Sequence, residues 1–217
     1  MAKANIVIVD YGVGNLFNIE RAFAALDAKT TISNEPQQIL QADKLLLPGV
    51  GAFAAGLERL RKDGLIPILK EFCRTGRPLL GICLGMQLLM SESQENGRHE
   101  GLNFIPGQVV KFSPPLASGP RYKIPQTSWN SLESPADRGP EAWMGTILQG
   151  LPEHTYMYFV HSYCVHAADP SNSLAVTSYG RDRFDSVVNK DNVTGFQFHP
   201  ERSGEYGLRL LRNFIHK

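Results

Sequence analysis

Short apolar runs alternate with amphipathic segments along the first half of the 217-residue chain. The apolar runs predict buried strands at Asn5–Val9, Lys44–Leu47 and Pro78–Ile82. Apolar residues at helical spacing predict helices at Asn15–Leu26, Ala52–Arg61, Ile66–Arg74 and Leu84–Met90. Such alternation favours βαβ units, and therefore an α/β fold in which helices cover a mostly parallel sheet.

The pattern changes in the second half of the chain. Prolines and glycines are frequent from Gly101 to Gly150, which favours antiparallel pieces or loops at Asn103–Phe112 and around Trp143. Further strands are predicted at Tyr156–His161, Leu174–Ser178 and Val193–Phe198, and a closing helix at Glu205–Ile215. We therefore expect one domain over residues 1–217, with an antiparallel β extension in the middle of the chain.

Composition and charge limit the binding partners and the cellular compartment that we expect. The 22 basic and 21 acidic residues leave a formal charge of +1, which gives no reason to expect nucleic acid or an anionic membrane as partner. An odd count of three cysteines favours a reducing compartment over a disulfide framework. The run Ile6–Val9 is too short for a signal-peptide core, and Pro78–Met90 is shorter than the roughly 18–20 residues of a membrane span. We expect a cytoplasmic protein.

The strand Pro78–Ile82 runs into the pattern Gly-x-Cys-x-Gly and then into a helix. This is the cysteine counterpart of the strand–nucleophile–helix elbow, in which a sharp turn exposes the central side chain. Glycines at positions 81 and 85 avoid collisions with neighbouring backbone. Cys83 would lie at a helix N-terminus, which favours the thiolate, and the N–H of Leu84 could donate to an oxyanion. The alternative is that Cys83 is a buried small hydrophobe.

A second segment, Gly195-Phe-Gln-Phe-His-Pro-Glu201, brings a histidine to the end of a strand. Pro200 biases His199 toward an extended backbone, so His199 and Glu201 point to the same side. A carboxylate beside an imidazole fixes its tautomer and stabilises the imidazolium, which fits cysteine–histidine–glutamate catalysis. A surface histidine at a strand end is the alternative.

The other cysteines and histidines are weaker candidates. Cys73 and Cys164 lack the elbow, and no cysteine or histidine spacing resembles a zinc site, so we expect no metal. The remaining histidines lie in turn-like, terminal or structural contexts; they are His99, His154, His161, His166 and His216.

Two glycine-containing turns follow the first two strands identified above. Pro48-Gly-Val-Gly-Ala-Phe53 could expose backbone N–H groups near Val50 as a second oxyanion donor, or could be a plain strand-to-helix turn. Asp10-Tyr-Gly-Val-Gly-Asn15 lacks the third glycine of a dinucleotide fingerprint, since Phe17 occupies that position, and this excludes a nicotinamide site.

The elbow and the Phe198–Glu201 segment together resemble class I, triad-type glutamine amidotransferases. The resemblance covers nearly the whole chain. Four segments resemble one family within this class, the glutaminase subunits of imidazole glycerol phosphate synthase. Those segments are Asp10–Asn15, Pro48–Phe53, Tyr158-Phe-Val-His-Ser-Tyr163 and His199-Pro-Glu-Arg-Ser-Gly204.

The resemblance implies a three-layer, flavodoxin-like fold and a glutaminase without a cofactor. It implies that Cys83 is the nucleophile, His199 the acid and base, and Glu201 the group that orients His199. Val50 and Gly51 resemble the oxyanion strand. The implied glutamine pocket lies near Gly51 and consists further of Gln87, Glu95, Ser162 and Tyr163.

The resemblance also implies a partner, a (β/α)8-barrel cyclase that receives the ammonia for histidine biosynthesis. Positions that match that interface are Asn15, Trp129, Asn130 and Arg202.

Two departures from the family pattern occur: Thr127 and Ser128 stand where an apolar residue and glycine are usual, and Arg202 stands where lysine is usual. The departures at Thr127 and Ser128 leave open a paralogous glutaminase that supplies ammonia for sugar amination in surface-polysaccharide synthesis. A non-catalytic regulatory subunit and a chaperone-like or peptidase relative fit the residues less well.

Overall fold

A computed structural model describes residues 4–119, 121–135, 138 and 140–217. Residues 1–3, the start of the predicted domain, lie outside that part. The strands are β1 Ile6–Val9, β2 Thr30–Ser33, β3 Lys44–Gly49, β4 Leu79–Cys83, β5 Glu92–Ser93, β6 His99–Glu100, β7 Gly107–Lys111, β8 Gln126–Ser131, β9 Tyr156–His161, β10 Tyr163–Ala167, β11 Ser173–Tyr179, β12 Asp182–Lys190 and β13 Val193–Phe196. The helices are α1 Leu16–Ala24, α2 Pro36–Gln41, α3 Phe53–Lys62, α4 Leu65–Arg74, α5 Leu84–Leu88 and α6 Gly204–His216. Short 3-10 turns lie at Pro140–Trp143, Pro170–Asn172 and Pro200–Arg202.

Five parallel strands form one half of the main sheet, in the order β2-β1-β3-β4-β13. This order is that of flavodoxin-like sheets, in which ligands bind beyond the carboxyl ends of the strands. Strand β4 is central in this half, since it pairs with β3 on one side and β13 on the other. The segments that follow β3, β4 and β13 therefore meet at one edge.

The two faces of the parallel half are covered by different helices. Along β1, Ile6 and Ile8 pack with residues of α1 and α6, whereas Val7 and Val9 pack with residues of α2, α3 and α4. Successive side chains of a strand point to opposite faces, so alternate positions of one apolar run supply two separate cores. The three-layer α/β fold expected from the sequence is confirmed.

The other half of the main sheet is largely antiparallel. It continues from β13 through β12, β10, β7, β5 and β6. Strand β11 lies off this path and pairs with β12. Strands β8 and β9 form a separate antiparallel pair in which Gln126 faces His161 and Ser131 faces Tyr156. The antiparallel extension is thus confirmed, and it is continuous with the main sheet.

Local sequence explains where several elements start and stop. Asn15 caps α1, because its side-chain oxygen accepts a hydrogen bond of 3.3 Å from the N–H of Asn18. Helix α5 ends at Leu88, two residues before the predicted end at Met90. Within the described ranges, every helix is too short or too polar to cross a membrane.

Candidate active site

The turn between β4 and α5 is sharp and tightly packed. Cys83 adopts φ 55° and ψ −110°, a combination that non-glycine residues rarely adopt and that surrounding structure must hold in place. A Cβ at Gly81 would lie 2.7 Å from Leu89 Cδ1, and a Cβ at Gly85 would overlap the carbonyl oxygen of Leu47. Both flanking positions therefore require glycine, which confirms the crowding expected from the sequence.

The three cysteines differ in their surroundings. Cys83 is 6% exposed and lines a cavity, and its Sγ lies 3.8 Å from the carbonyl oxygen of Val160 and 4.0 Å from Gln197 Nε2. Burial raises the pKa of Cys73 to about 12. Burial, with Asp182 and Asp185 adding to it, also raises the pKa of Cys164 to about 12. At neutral pH those two thiols stay protonated and unreactive.

His199 and Glu201 form a buried pair beside Cys83. Glu201 Oε1 lies 2.8 Å from His199 Nδ1, and the two side chains are 1% and 9% exposed respectively. Burial lowers the pKa of His199, but hydrogen bonds to Cys83 and Glu201 outweigh it and raise that pKa to about 10. The imidazole is therefore charged at neutral pH and carries a proton that it can give away.

Backbone contacts fix this pair in place. The N–H of His199 donates to the carbonyl oxygen of Tyr158 at 2.9 Å, which ties the segment to β9. The hydroxyl of Ser203 donates to the carbonyl oxygen of His199 at 2.6 Å and accepts from the N–H of Tyr158 at 3.0 Å. The tight turn at Pro200–Arg202 then brings Glu201 back to the imidazole.

A cavity of about 490 Å³ opens at this edge of the sheet. It contains all three predicted catalytic residues, the three predicted oxyanion residues and the four other residues predicted to bind glutamine. Its lining consists of Asn15, Val50, Gly51, Cys83, Leu84, Gln87, Glu95, Pro125, Val160, His161, Ser162, Tyr163, His199, Glu201 and Arg202. The structure thus brings together residues from distant parts of the chain in one site large enough for an amino acid.

A model of the class I glutamine amidotransferase family matches residues 7–217. The chain belongs to this amidotransferase family. It is 43% identical over 212 residues to "Imidazole glycerol phosphate synthase subunit HisH 1" of Legionella pneumophila (strain Paris), covering 98% of this chain and 99% of the relative. The protein named subunit HisH of Methanosarcina barkeri is 42% identical over 211 residues, covering 97% of each chain.

Solved structures agree with this amidotransferase fold. The chain superimposes on PurLQS from Thermotoga maritima with a TM-score of 0.71 at 16% identity, covering 99% of each chain. At that identity the likeness concerns the fold alone.

Polar contacts hold the pocket of this amidotransferase in shape. Gln87 Nε2 donates to the carbonyl oxygen of Tyr163 at 3.0 Å and to Gln197 Oε1 at 3.2 Å. Glu95 Oε2 accepts a hydrogen bond of 2.6 Å from the N–H of Phe53, at the start of α3. Burial, and then the nearby Glu95, raise the pKa of Tyr163, so its hydroxyl remains neutral.

The two backbone segments beside Cys83 differ in how firmly the surrounding structure holds them. Leu84 is the first residue of α5, where a backbone N–H has no acceptor within the helix. Gly51 adopts φ +103°, and a Cβ built on it would meet no atom within 4 Å, while the adjacent Val50 is 44% exposed. The Val50–Gly51 segment therefore has room to change its backbone orientation.

Two of the four predicted interface residues line the cavity and two do not. Asn15 and Arg202 line the cavity, and the Arg202 guanidinium lies 4.4 Å from the ring centroid of Tyr158. Trp129 and Asn130 lie outside the cavity lining. Trp129 is 50% exposed, whereas the Asn130 side chain donates to the carbonyl oxygen of Ser178 at 2.9 Å. Thr127 and Ser128 fit into β8 without a positive φ, so loss of the usual glycine leaves a regular strand.

Two polar residues beside the catalytic groups, His161 and Gln197, were not recognised from the sequence. His161, which we interpreted as structural, lines the cavity, and Gln197 lies beneath Cys83 and Gln87. Gln197 could have been found, because a residue two positions before His199 in an extended segment points to the same side. His161 could also have been found from the alternation of β9, in which every second residue is buried.

His161 makes stability depend on pH. Its Nδ1 lies 2.8 Å from the carbonyl oxygen of Tyr163, and burial lowers its pKa to about 4 despite that hydrogen bond. The folded state thus binds the proton less well than the unfolded state, whose pKa is near the ordinary 6.5. This contribution to stability is present above pH 6.5 and is lost as pH falls through 4.

We expect His161→Phe to flatten the acid dependence of stability. The ring would remain among Phe112, Phe159 and Phe184, but the proton uptake on unfolding would disappear. Between pH 6.5 and 4, the free energy of unfolding should fall by about 3 kcal/mol less than in the unsubstituted chain. Urea unfolding at several pH values measures this, and parallel curves for the two proteins would contradict it.

Proposed function

We propose that this chain is the glutaminase subunit of an imidazole glycerol phosphate synthase, with one domain over residues 1–217. The observation that carries the proposal is the placement of Cys83. Its sulfur stands on a strained turn beside a charged His199–Glu201 pair, in a cavity of amino-acid size. That arrangement suits nucleophilic attack on a carboxamide.

The first half of the reaction forms a thioester. The thiolate of Cys83 attacks the side-chain carbonyl carbon of glutamine, and the N–H groups of Leu84 and of the Val50–Gly51 segment stabilise the oxyanion. The imidazolium of His199 gives its proton to the nitrogen of the tetrahedral intermediate. The C–N bond breaks, ammonia leaves, and a glutamyl thioester remains on Cys83.

The second half regenerates the enzyme. His199, now neutral, accepts a proton from a water that attacks the thioester carbon. Collapse of the second tetrahedral intermediate breaks the C–S bond and releases glutamate. Glu201 remains ionised throughout and orients the imidazole. Gln87, Glu95, Ser162 and Tyr163 line the part of the cavity that would hold the glutamine.

The ammonia is transferred to a synthase partner in the cytoplasm. Relatives at 42–43% identity over nearly the full chain are named as subunits of imidazole glycerol phosphate synthase. We therefore assign a (β/α)8-barrel cyclase as partner and histidine biosynthesis as pathway. The products of the joint reaction are imidazole glycerol phosphate and aminoimidazole carboxamide ribotide. Exposed Trp129, together with Asn15 and Arg202 in the cavity lining, supports a docking surface beside the site where ammonia is released.

Selective labelling of Cys83 tests this function. A glutamine analogue that carries an electrophilic carbon at the position of the carboxamide should alkylate Cys83 at pH 7.5. Cys73 and Cys164 should remain unmodified, because burial raises the pKa of each thiol to about 12. Peptide mass mapping identifies the labelled residue, and excess glutamine should protect it. Labelling mainly at Cys164, or no protection by glutamine, would contradict the assignment.

A further inference from the structure

A second cavity, of about 330 Å³, lies behind the catalytic pair. Glu201 forms part of the wall of both cavities and so separates the two. The other residues that line this second cavity come from α1 and α6 or its start; they are Asn18, Arg21, Ala22, Gly204 and Leu208.

The carboxylate of Glu201 is only half satisfied. Its Oε1 bonds His199, but its Oε2 is buried and has no hydrogen-bond partner in the described part of the chain. The side chain as a whole is 1% exposed. A carboxylate oxygen that is buried without a hydrogen bond costs free energy. The reaction proposed above, in which Glu201 stays ionised, therefore needs a donor to Oε2.

Asn18 is the side chain best placed to supply this donor. It projects from the first turn of α1, which packs against the turn that carries Glu201. Among the described residues its carboxamide has no hydrogen-bond partner, so both of its N–H groups are available. Arg21, one helical turn further on, adds a positive charge at the more exposed side of the same cavity.

We propose that Asn18 is a positioning residue, whose carboxamide donates to Glu201 Oε2 directly or through one water in the second cavity. This contact keeps the Glu201 carboxylate oriented on His199, and His199 in turn keeps the proton that it gives to the leaving ammonia. The proposal rests on the glutaminase function. It adds a residue outside the glutamine pocket that holds the triad in position.

Two substitutions separate this role from helix packing. Leucine has nearly the shape of asparagine, but it has no donor and fills the space a water would need. Alanine has no donor either, but it leaves room for a water to bond Oε2. Both are better helix formers than asparagine, so a packing role alone predicts that Asn18→Leu is harmless and that Asn18→Ala is the worse of the two.

We expect the opposite order in the complex with its cyclase. Asn18→Leu should lower the kcat for glutamine hydrolysis by about 10- to 100-fold, the effect of one charge-assisted hydrogen bond, with KM within about twofold. Asn18→Ala should retain kcat within about fivefold. Equal kcat for Asn18→Leu and the unsubstituted protein, or a loss carried by KM alone, would overturn the proposal.

A second measurement uses the isolated chain and needs no turnover. Iodoacetamide should alkylate Cys83 of Asn18→Leu about tenfold more slowly at pH 6 than Cys83 of the unsubstituted chain, because a less basic His199 holds less thiolate. An unchanged rate overturns the role of Asn18 even if the complex shows no glutaminase activity. A complex without glutaminase activity in which this rate still falls would instead contradict the proposed function alone.

Discussion

Cys83→Ala is expected to abolish glutamine hydrolysis while the chain stays folded. Loss of the nucleophile in comparable triads lowers kcat by about 10⁶-fold, because the remaining groups have no atom to act on. The fold should persist, since alanine fits where cysteine fits and the strained backbone is held by Gly81, Gly85 and the strands around them. Ammonia release, measured with circular dichroism on the same samples, tests both parts.

The other two cysteines provide matched controls. Cys73→Ala and Cys164→Ala remove thiols that lie away from the cavity lining, so glutamine hydrolysis should remain within about twofold. Cys164→Ala should lower the melting temperature more than Cys73→Ala, because Cys164 is 1% exposed and belongs to the core. Activity of Cys83→Ala within tenfold of the unsubstituted chain would show that another group is the nucleophile.

Stimulation by the cyclase is the second large effect expected. A glutaminase that ran freely would waste glutamine and lose ammonia to solvent. The Val50–Gly51 segment has room to reorient, so the second oxyanion donor need not be in place at rest. We expect the isolated chain to be slow and the cyclase with its ribotide to raise kcat by about 10²–10³-fold, the value of one oxyanion donor. Full activity of the isolated chain would contradict this gating.

Two glycine substitutions test the gating from within the chain. Gly51 and Gly64 both have positive φ and open space where a Cβ would be, so alanine at either position costs about 1–2 kcal/mol through the backbone alone. Gly51→Ala should raise the basal rate of the isolated chain by about tenfold, since it disfavours the resting conformation. Gly64→Ala, in the turn before α4, should lower stability without changing that rate. Equal basal rates in both variants would contradict a resting state at Gly51.

The site was largely predictable because its chemistry depends on short segments. The elbow requires glycine at two fixed positions around Cys83. The pairing of His199 with Glu201 was expected from an extended backbone, which is wrong beyond His199, since a 3-10 turn at Pro200–Arg202 brings the carboxylate to the imidazole. Once three parallel strands are recognised, their carboxyl ends must meet at one edge, which brings the Val50 turn to Cys83. Local rules therefore determine most of this site.

Other parts of the molecule depend on distant contacts and could not be predicted. Strand β2 has only four residues, Thr-Thr-Ile-Ser, and forms the edge of the sheet, where Thr31 and Ile32 are exposed, so the segment shows no buried apolar run. Strand β12 reads Asp-Arg-Phe-Asp-Ser-Val-Val-Asn-Lys, and pairing with β13, β10 and β11 overrides this weak preference. The donor that Glu201 needs lies on α1, far along the chain, and only the packing of α1 against Glu201 reveals it.

Product formation from two nitrogen sources tests the central claim most directly. The chain and a histidine-pathway cyclase are combined with the ribotide, and imidazole glycerol phosphate is measured with glutamine or with an ammonium salt. The unsubstituted complex should use both sources, whereas the Cys83→Ala complex should use ammonium alone, because ammonia enters the cyclase after the step that Cys83 performs. Failure of the unsubstituted complex to use glutamine, while the cyclase still uses ammonium, would contradict the histidine pathway and favour a sugar-amination partner.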